Sequence, residues 1–346
     1  SYNNLGEAYG EKFETEKEME QGIEVLLNFD DTKTKEIANL LKKPENLERP
    51  IYILGMGSSL LFPAKNAKKR ASKLLPERKV EIGYPNNFSV SDFPSNAYIF
   101  FSSNSGRTKE ILEISDGLKK ININIFAVTQ NEDSHLAKIC NDAYILQEGS
   151  KKFEKGVAAT KSIIDQALFY DAVIHYTAGK EFPLGKNGRL TEKVADQMKR
   201  NFEREIPNKI LYPGLSAKTF YWIDHDTGVG EELALKSCEI AGKIGIYESG
   251  TQILHGRGEV ISPNDLVFVI NPNSYTEKDK SDFREKLVGA RAISLENNND
   301  FENLLAETTE NYESYSQLPA AWNFLRKVGR ALGRDIDKPK HAEKYR

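Results

Sequence analysis

Cysteine is scarce in this 346-residue chain, and long apolar runs are missing. The two cysteines, Cys140 and Cys238, have no metal-like spacing, and so few thiols in a large chain are typical of a reducing compartment. No apolar segment approaches the roughly 20 residues that a membrane helix needs. The first residues lack the basic-then-apolar pattern of a secretion signal. These absences predict a cytoplasmic protein with no membrane partner.

An excess of charge of one sign is missing too. Lysine and arginine number 48 against 51 acidic residues, which gives a net charge of -3. This balance argues against a broad basic surface, so no nucleic-acid partner is expected. Hydrophobic residues make up 39% of the chain, enough for sizeable cores, and the length suggests about two domains.

The chain does contain a regular alternation of strand-like and helix-like segments, after an amphipathic and charged start. Such alternation predicts an α/β fold in which helices cover both faces of a parallel sheet. The strands expected in the first half are Ile51–Leu54, Val80–Ile82, Ala97–Phe101, Ile125–Val128 and Ala143–Leu146, and the helices include Pro63–Leu74, Lys109–Lys120 and Val157–Tyr176.

After a polar join, the same order repeats in the second half. We therefore predict N-terminal helices over residues 1–45, a first domain over 46–180, a linker and helix over 181–206, a second domain over 207–320, and a helix with a tail over 321–346. The strands expected in the second half are Lys209–Tyr212, Ile244–Glu248 and Leu266–Ile270, and the helices lie near Pro213–Thr219, at Glu231–Ala241 and at Tyr275–Leu287.

A small, hydroxyl-rich turn follows one strand of the first half and leads directly into a helix. It places Ser103, Asn104, Ser105 and Thr108 around Gly106. Free backbone N–H groups, hydroxyls and the positive end of a helix dipole at one point make a phosphate cradle. A side chain at position 106 would crowd the phosphate. The alternative is that these hydroxyls only cap the helix.

A second turn of this kind, Gly57-Ser58-Ser59, also follows a strand. Ligands of open parallel sheets bind at the carboxyl ends of the strands, so two converging turns favour a phosphosugar site over simple helix caps. Neither turn matches a Walker loop or a GxGxxG motif, which makes a nucleotide ligand less favoured.

The turn around Gly106 has a counterpart in the second half. Phe101–Thr108 and Ile270–Thr276 each join a hydrophobic strand to Asn-Ser and then to a threonine that opens a helix. This similarity predicts a duplicated domain. Tyr275 stands in the second copy where Gly106 stands in the first, so we expect the second copy to keep the fold and to have lost the phosphate.

Three charged residues, Glu232, Lys236 and Glu239, are spaced by four and three positions and so share one face of a helix. The simplest interpretation is a solvated face with an ion pair. His255, between an apolar pair and a glycine, is either a core or loop histidine or an acid–base group with a pKa near neutrality. The residues alone leave both interpretations open.

Six motifs in this order resemble those of the sugar isomerase (SIS) superfamily, and most of all the isomerase half of glutamine–fructose-6-phosphate amidotransferase, the glucosamine-6-phosphate synthase. The resemblance covers nearly the whole chain. The motifs are the turn Gly55–Ser59, the loop Ser103–Thr108, the segment Gly156–Lys161, the helix Glu232–Glu239, His255 sixteen residues further on, and the tail Asp335–Pro339 followed five residues later by Lys344.

This resemblance implies two SIS domains of flavodoxin-like type and a homodimer whose active site is shared, with the histidine coming from the neighbouring subunit. It implies a Schiff base at Lys344, proton transfer between C1 and C2 by Glu239, ring opening assisted by His255, and Lys236 beside the developing charge. The implied ligand is a small phosphorylated sugar, with no metal or other cofactor. The implied substrate-binding residues are Gly57, Ser58, Ser59, Ser103, Asn104, Ser105, Thr108, Val157, Ala159 and Glu232.

Three positions depart from the family pattern. Arg107 replaces an acid, Ala159 a sugar-binding serine and Gln252 a glutamate. The sequence does not include the glutaminase part, so nitrogen from glutamine is not expected. We expect hydrolytic deamination of glucosamine 6-phosphate to fructose 6-phosphate and ammonia, or the ammonia-dependent reverse. The alternatives are a deglycase of fructosyl-amino-acid 6-phosphates, with room made by Ala159 and Gln252, and a sugar-phosphate sensor without turnover.

Overall fold

The computed structural model describes residues 12–147, 154–287, 291–295, 300–304 and 307–341. The chain divides into two units, each built around one parallel sheet. The first-sheet unit takes Glu24–Lys155 and Ala159–Thr191, and of the described residues the second-sheet unit takes 12–23, 156–158 and 192–341. The expected α/β fold with two parallel sheets between helices is confirmed. The domain boundaries given above stay a prediction.

The elements follow one another in the alternating order that the sequence predicts. The strands are β1 (Ile51–Gly55), β2 (Val80–Gly83), β3 (Tyr98–Ser102), β4 (Asn124–Thr129), β5 (Asp142–Ile145), β6 (Thr219–Asp224), β7 (Ile244–Ser249), β8 (Leu266–Val269), β9 (Arg291–Ser294) and β10 (Glu302–Asn303). The helices are α1 (Glu14–Asn28), α2 (Thr32–Leu41), α3 (Phe62–Leu74), α4 (Lys109–Lys120), α5 (His135–Ile139), α6 (Lys161–Thr177), α7 (Thr191–Glu203), α8 (Asn208–Ser216), α9 (Val229–Glu239), α10 (Glu277–Lys286) and α11 (Glu313–Ala331).

The first sheet is parallel and has the strand order β2-β1-β3-β4-β5. In β1, Ile51 pairs with Val80 on one side and with Tyr98 on the other. Every residue of β1 and β3 is buried, because both faces of a parallel sheet of this kind are covered by helices. Helix α4 buries Ile111 and Leu118 in the same core, at the seven-residue spacing of one helix face.

The second sheet is also parallel and has the order β10-β9-β8-β6-β7. Numbered from the first strand of each sheet, both sheets have the order 2-1-3-4-5 found in flavodoxin-like folds. The loops Ser103–Thr108 and Asn271–Thr276 therefore follow equivalent strands, β3 and β8. Equivalent positions in two sheets of the same topology are what a duplicated domain predicts.

One predicted strand is wrong. Lys209–Tyr212 lies in helix α8, and the first strand of the second sheet is β6, where the sequence analysis expected the end of a helix. The apolar residues Ile210 and Leu211 are buried on one side of this helix. Gly214 completes that face, since a Cβ there would meet the ring of Phe324. Three adjacent apolar residues fit a strand or a buried helix turn equally well, and packing on α11 selects the helix.

In the second-sheet unit, the start of α1 forms hydrogen bonds with α11 and with the segment that follows α11. Glu16 is buried and accepts hydrogen bonds from the guanidinium groups of Arg326 and Arg330 on α11. Asp337, in the tail after α11, accepts hydrogen bonds from the backbone N–H groups of Glu14 and Thr15, each at 2.8 Å. A carboxylate at this position satisfies N–H groups that the first turn of a helix leaves unpaired.

No helix in the part of the chain that the structure describes is long and apolar enough to span a membrane.

Candidate functional site

The two turns predicted to bind a ligand leave the first sheet side by side. Strands β1 and β3 are paired, and Gly55 lies opposite Ser102 where the strands end. In the order 2-1-3-4-5 this is the point at which the chain crosses from one face of the sheet to the other, and ligands of such sheets bind in the crevice there. The sheet thus brings the Gly57–Ser59 turn and the Ser103–Thr108 loop to the same edge.

In the Ser103–Thr108 loop, the hydroxyls bind one another and the loop backbone. The hydroxyl oxygens of Ser103 and Thr108 are 2.7 Å apart, and the Ser103 hydroxyl accepts the N–H of Gly106 at 3.1 Å. The Ser105 hydroxyl accepts the N–H of Arg107 at 3.1 Å. Thr108 is the N-cap residue of α4, yet its side chain makes no capping bond. The interpretation of this loop as a simple helix cap is therefore wrong for Thr108.

Gly106 has a φ of +65°, a conformation that residues with a side chain rarely adopt. A Cβ at this position would overlap the side chain of Ser134, which precedes α5. Glycine is therefore required here by the backbone conformation and by Ser134, which differs from the expected reason of space for a phosphate. Gly57 also has a positive φ, of +55°, but lies in open space.

A side chain of α6 links the two turns. The amide nitrogen of Gln166 donates to the Asn104 side-chain oxygen at 2.6 Å and to the Ser59 hydroxyl at 3.3 Å. The side-chain nitrogen of Asn104 donates in turn to the Ser162 hydroxyl at 2.8 Å. Gln166 is fully buried. The sequence analysis missed Gln166 and Ser162, although two polar residues four positions apart lie on one face of a helix and were a usable signal.

The segment before α6 is held by a buried carboxylate. Glu154 accepts hydrogen bonds from the backbone N–H of Thr160 at 2.5 Å, from the Thr160 hydroxyl at 2.9 Å and from the N–H of Ser162 at 3.3 Å. The helix expected from Val157 accordingly begins at Lys161. A carboxylate at a helix N-terminus is stabilised by the helix dipole, so Glu154 itself fills the place that an anion would take at α6. Val157 and Ala159, both expected to bind substrate, are half-buried in this segment.

Two of the three charged residues of α9 are fully buried rather than solvated, and the third is partly exposed. Glu232 and Lys236 are fully buried and form an ion pair, and the ammonium of Lys236 is 3.3 Å from a carboxylate oxygen of Glu239. Burial alone would lower the pKa of Lys236, but the two carboxylates outweigh it and raise that pKa above its ordinary value. The side chain of Glu239 keeps 16% of its surface exposed. The interpretation as a solvated helix face is wrong, and only Glu239 of the three can be reached by a ligand.

His255 lies in an exposed loop after β7. The loop is anchored by Ile253, which is fully buried, and by an ion pair between Glu248 and Arg257 that joins its two ends. Among the described residues, no hydrogen bond or ion pair joins the His255 side chain to the charged group on α9. Lys344, the predicted Schiff-base residue, lies outside the described residues.

In the second sheet, side chains accept N–H groups at the start of both equivalent helices. At α9 the N-cap residue, Gly228, makes no side-chain capping bond, and Asp224 instead accepts the N–H groups of Thr227 and Gly230, each at 3.1 Å. At α10, Thr276 accepts the N–H of Asp279 and forms a capping box with it. At the equivalent helices of the first sheet, α3 and α4, the N-cap residues make no side-chain capping bond.

Tyr275 takes the position of Gly106 in the second copy. Its side chain is buried and its ring stacks on that of His225 at a centroid distance of 4.1 Å. An aromatic ring thus fills the space beside the second loop. The loss of the phosphate in the second copy, inferred from the sequence, stays a prediction that this packing supports.

Within the described residues, no group of three or more histidine, cysteine, aspartate or glutamate side chains is arranged to hold a metal ion. The polar groups at the edge of the first sheet are hydroxyls, amides and helix N-termini, which suit an anion or a sugar.

Residues 86–176, which include β3, β4, β5 and the Ser103–Thr108 loop, match the family model of the SIS domain. A curated relative, arabinose 5-phosphate isomerase KdsD of Francisella tularensis, is 28% identical over 259 residues, covering 72% of this chain and 75% of that protein. Among solved structures, glucosamine-6-phosphate deaminase of Thermotoga maritima has a TM-score of 0.69 at 19% identity and covers 94% of this chain and 98% of its own.

The C-terminal domain of glucosamine-fructose-6-phosphate aminotransferase from Francisella tularensis has a TM-score of 0.71 at 18% identity, with 95% of this chain and 99% of that chain covered. At these identities the two solved structures establish the fold, and the family model identifies the domain. Residues 86–176 therefore match the SIS domain, and the resemblance of the chain to the sugar isomerase superfamily is confirmed.

Proposed function

We propose that this chain is a phosphosugar aldose–ketose isomerase that releases ammonia from glucosamine 6-phosphate. The observation that carries the proposal is the charged group on α9, in which a fully buried lysine lies 3.3 Å from Glu239, a carboxylate that remains partly exposed. Moving a hydrogen between two neighbouring carbons needs a base that can reach both, with a cation close to the charge that develops. Glu239 and Lys236 supply that pair.

The phosphate end of the substrate is assigned to the first sheet. Helices α3 and α4 begin without a side-chain cap, and the loop before α4 offers the hydroxyls of Ser103, Ser105 and Thr108. Helix N-termini and hydroxyls together favour a dianion. At the matching helices of the second sheet, Asp224 accepts the N–H of Gly230 and Thr276 accepts that of Asp279, so protein oxygens already occupy these helix starts and we place no phosphate there.

Glu239 starts the reaction on the open-chain sugar. It takes the proton from C2, the electron pair moves toward the C1 carbonyl, and the C1 oxygen gains a proton. Returning a proton to C1 while the nitrogen loses one leaves an imine at C2. Lys236 stabilises the negative charge that builds up during these steps, because a buried ammonium acts in a medium of low dielectric.

Ammonia leaves when the imine carbon is attacked. We assign the attack to the amine of Lys344, which forms a Schiff base at C2 as the ammonia departs. Water then adds to that carbon, and fructose 6-phosphate is released from the lysine. The balance is one water consumed and one ammonia formed, and the same steps run backwards give amination by free ammonia.

His255 is assigned to ring opening in a homodimer in which it acts at the site of the second copy of the chain. Its exposed position on a loop anchored by Ile253 and by the Glu248–Arg257 ion pair supports this assignment. A histidine imidazole can donate a hydrogen bond to the ring oxygen and accept one from the C1 hydroxyl.

The proposal is tested by following ammonia and fructose 6-phosphate from glucosamine 6-phosphate. We expect both products in equal amounts, and the reverse reaction from fructose 6-phosphate with ammonium. Fructosyl-lysine 6-phosphate is the third substrate to be tested, because Gln252, one of the two positions at which the deglycase hypothesis places the amine substituent, is exposed. Turnover of that compound alone would establish the deglycase instead. Tight binding of fructose 6-phosphate with no turnover of any substrate would establish a sensor.

A second candidate reaction is favoured by the relative of Francisella tularensis, whose name gives arabinose 5-phosphate as its substrate. Simple isomerisation uses the same proton transfer and needs no nitrogen. Arabinose 5-phosphate belongs in the same assay, with appearance of the corresponding ketose as the readout. A kcat/KM higher than that for glucosamine 6-phosphate would replace the deaminase by this reaction.

The assignment of the phosphate end has a matched control within the chain. Thr108→Val removes the hydroxyl that pairs with Ser103, and we expect the KM for the phosphosugar to rise about tenfold. Thr276→Val changes the equivalent threonine of the second sheet, and we expect it to leave KM unchanged while the free energy of unfolding falls by about 1 kcal/mol with the lost cap. Equal effects of the two variants on KM would contradict the assignment.

A further inference from the structure

We propose that Gln166 is a positioning residue, which fixes the Gly57–Ser59 turn relative to the Ser103–Thr108 loop so that the two hold one phosphosugar. One amide nitrogen of Gln166 donates both to the Ser59 hydroxyl at 3.3 Å and to the Asn104 side-chain oxygen at 2.6 Å. Ser59 belongs to the turn after β1 and Asn104 to the loop after β3. A single planar group therefore sets the relative position of both.

The base of this link is rigid. Gln166 is fully buried on α6, a helix whose residues are nearly all buried. One turn earlier on the same face, the Ser162 hydroxyl accepts the side-chain nitrogen of Asn104 at 2.8 Å. Asn104 is thus held at both ends of its amide by the same helix. A long side chain that is packed all round loses little further freedom when a ligand binds, so the turns it holds are preorganised.

The orientation of the Gln166 amide does not serve the stability of the fold. Its carbonyl oxygen is buried and has no hydrogen-bond partner among the described residues. A buried acceptor without a partner is unfavourable, and a methionine of similar length would fill the same space without one. The two groups that Gln166 binds, Ser59 and Asn104, are half-exposed, so water could satisfy them if the amide were removed.

What the amide does provide is a fixed spacing between the two turns, and this role rests on the proposed phosphosugar site. If one turn binds the phosphoryl group and the other the sugar, loss of the link affects ligands that engage both turns. A ligand that occupies the phosphate loop alone is little affected. Inorganic phosphate and a phosphosugar therefore respond differently to a change at position 166.

The test compares Gln166→Met with Gln197→Met in the full-length protein. Gln197 is a buried glutamine on α7 whose amide is satisfied at both ends, by the Thr308 carbonyl at 3.2 Å and the Thr309 hydroxyl at 2.8 Å. For Gln166→Met we expect a Tm equal to or above that of the unchanged protein, a KM for the phosphosugar raised about tenfold, and a Ki for inorganic phosphate within about twofold. For Gln197→Met we expect a lower Tm and an unchanged KM.

Each outcome of this comparison supports or overturns the positioning role of Gln166. A Gln166→Met protein with an unchanged KM overturns the positioning role and leaves the proposed function intact. A Gln166→Met protein that loses Tm, phosphosugar affinity and phosphate affinity together shows a purely structural residue. If the unchanged protein binds neither inorganic phosphate nor any of the phosphosugars named above, the proposed function fails, and the role of Gln166 fails with it.

Discussion

The ammonium of Lys236 lies 3.3 Å from the Glu239 carboxylate and also pairs with Glu232, so one buried cation serves a buried and a partly exposed acid. Glu232 neutralises the lysine inside the protein. Glu239, the last residue of α9, is left at the end of the helix with its charge stabilised and its side chain accessible. Under the proposed mechanism, Glu232 is then the structural counter-ion of the lysine and Glu239 is the group that carries the proton.

Replacing Glu239, the accessible acid, is expected to remove the catalytic activity and to leave the fold intact. For Glu239→Gln we expect turnover of glucosamine 6-phosphate to fall by about 10²- to 10⁴-fold, the usual loss when a general base is removed. Binding of fructose 6-phosphate, measured by calorimetry, should change little because the Ser103–Thr108 loop, to which we assign the phosphate, is unchanged. The control is Cys238→Ser, a change at the exposed neighbouring residue that should leave turnover unaltered. Ammonia release at an undiminished rate from the Glu239→Gln protein would contradict the proton-transfer role.

Replacing the buried lysine acts on stability as well. Lys236→Met leaves Glu232 buried without its cation, and breaking a buried pair in this way costs about 3–5 kcal/mol of the free energy of unfolding. The double change Glu232→Gln with Lys236→Met removes both charges, and we expect it to restore most of that loss, since well-packed neutral groups can replace a buried pair. Urea unfolding measures both variants. Turnover should stay low in the double variant, because the cation beside Glu239 is still missing.

Much of the fold follows from local patterns, but the burial of α9 does not. The bounds Lys109–Lys120 predicted for the helix after the Ser103–Thr108 loop are those observed. Both the spacing of its apolar residues and the turn before it indicate the same helix. The ion pair on α9 has the same spacing whether its face is solvated or buried. Its burial is decided by strand β7, which follows α9 directly, and by helix α11, which packs on α9 from a distant part of the chain.

Contacts between elements that are distant in sequence also explain the other differences between the predicted and the observed structure. Ile210 and Leu211 suit a strand by local preference, and their burial on a helix depends on contacts of α8 with α11. In the sequence, Gln166 is one of several polar residues of α6, and its role becomes visible only where the sheet brings Ser59 and Asn104 to it. In the candidate site, the sequence predicted which residues carry polar groups, while the connection between the two turns emerged from the tertiary structure.

The tail that precedes Lys344 is held through Asp337. For Asp337→Ala we expect the free energy of unfolding to fall by about 0.5–2 kcal/mol, since the N–H groups of Glu14 and Thr15 lose their acceptor. Turnover should fall by more than the small loss of folded protein explains, because under the proposed mechanism the segment after Asp337 carries the Schiff-base lysine, Lys344. Trapping with borohydride in the presence of fructose 6-phosphate measures that lysine directly. If borohydride traps the lysine of the folded Asp337→Ala protein as fully as that of the unchanged protein, Asp337 has no role in the reaction.

Lowering the pH should weaken the ion pairs that join Glu16 on α1 to Arg326 and Arg330 on α11. Burial by itself raises the pKa of Glu16, but the hydrogen bonds from Arg330 and Arg326 outweigh it and hold that pKa below the ordinary 4.5. A lowered pKa means that the stabilisation is present above pH 4.5 and is lost as the pH falls through the lower value, at up to about 1.4 kcal/mol per pH unit for one proton.

We therefore expect Glu16→Gln to be less stable than the unchanged protein at pH 7, with a difference that shrinks steadily below pH 4.5. Urea unfolding at a series of pH values measures the difference. Glu24→Gln is the control, since Glu24 is an exposed acid on the same helix whose replacement should leave the pH dependence unaltered. A difference between the Glu16 variant and the unchanged protein that stays constant down to pH 3 would show that the arginines do not stabilise the charged form of Glu16.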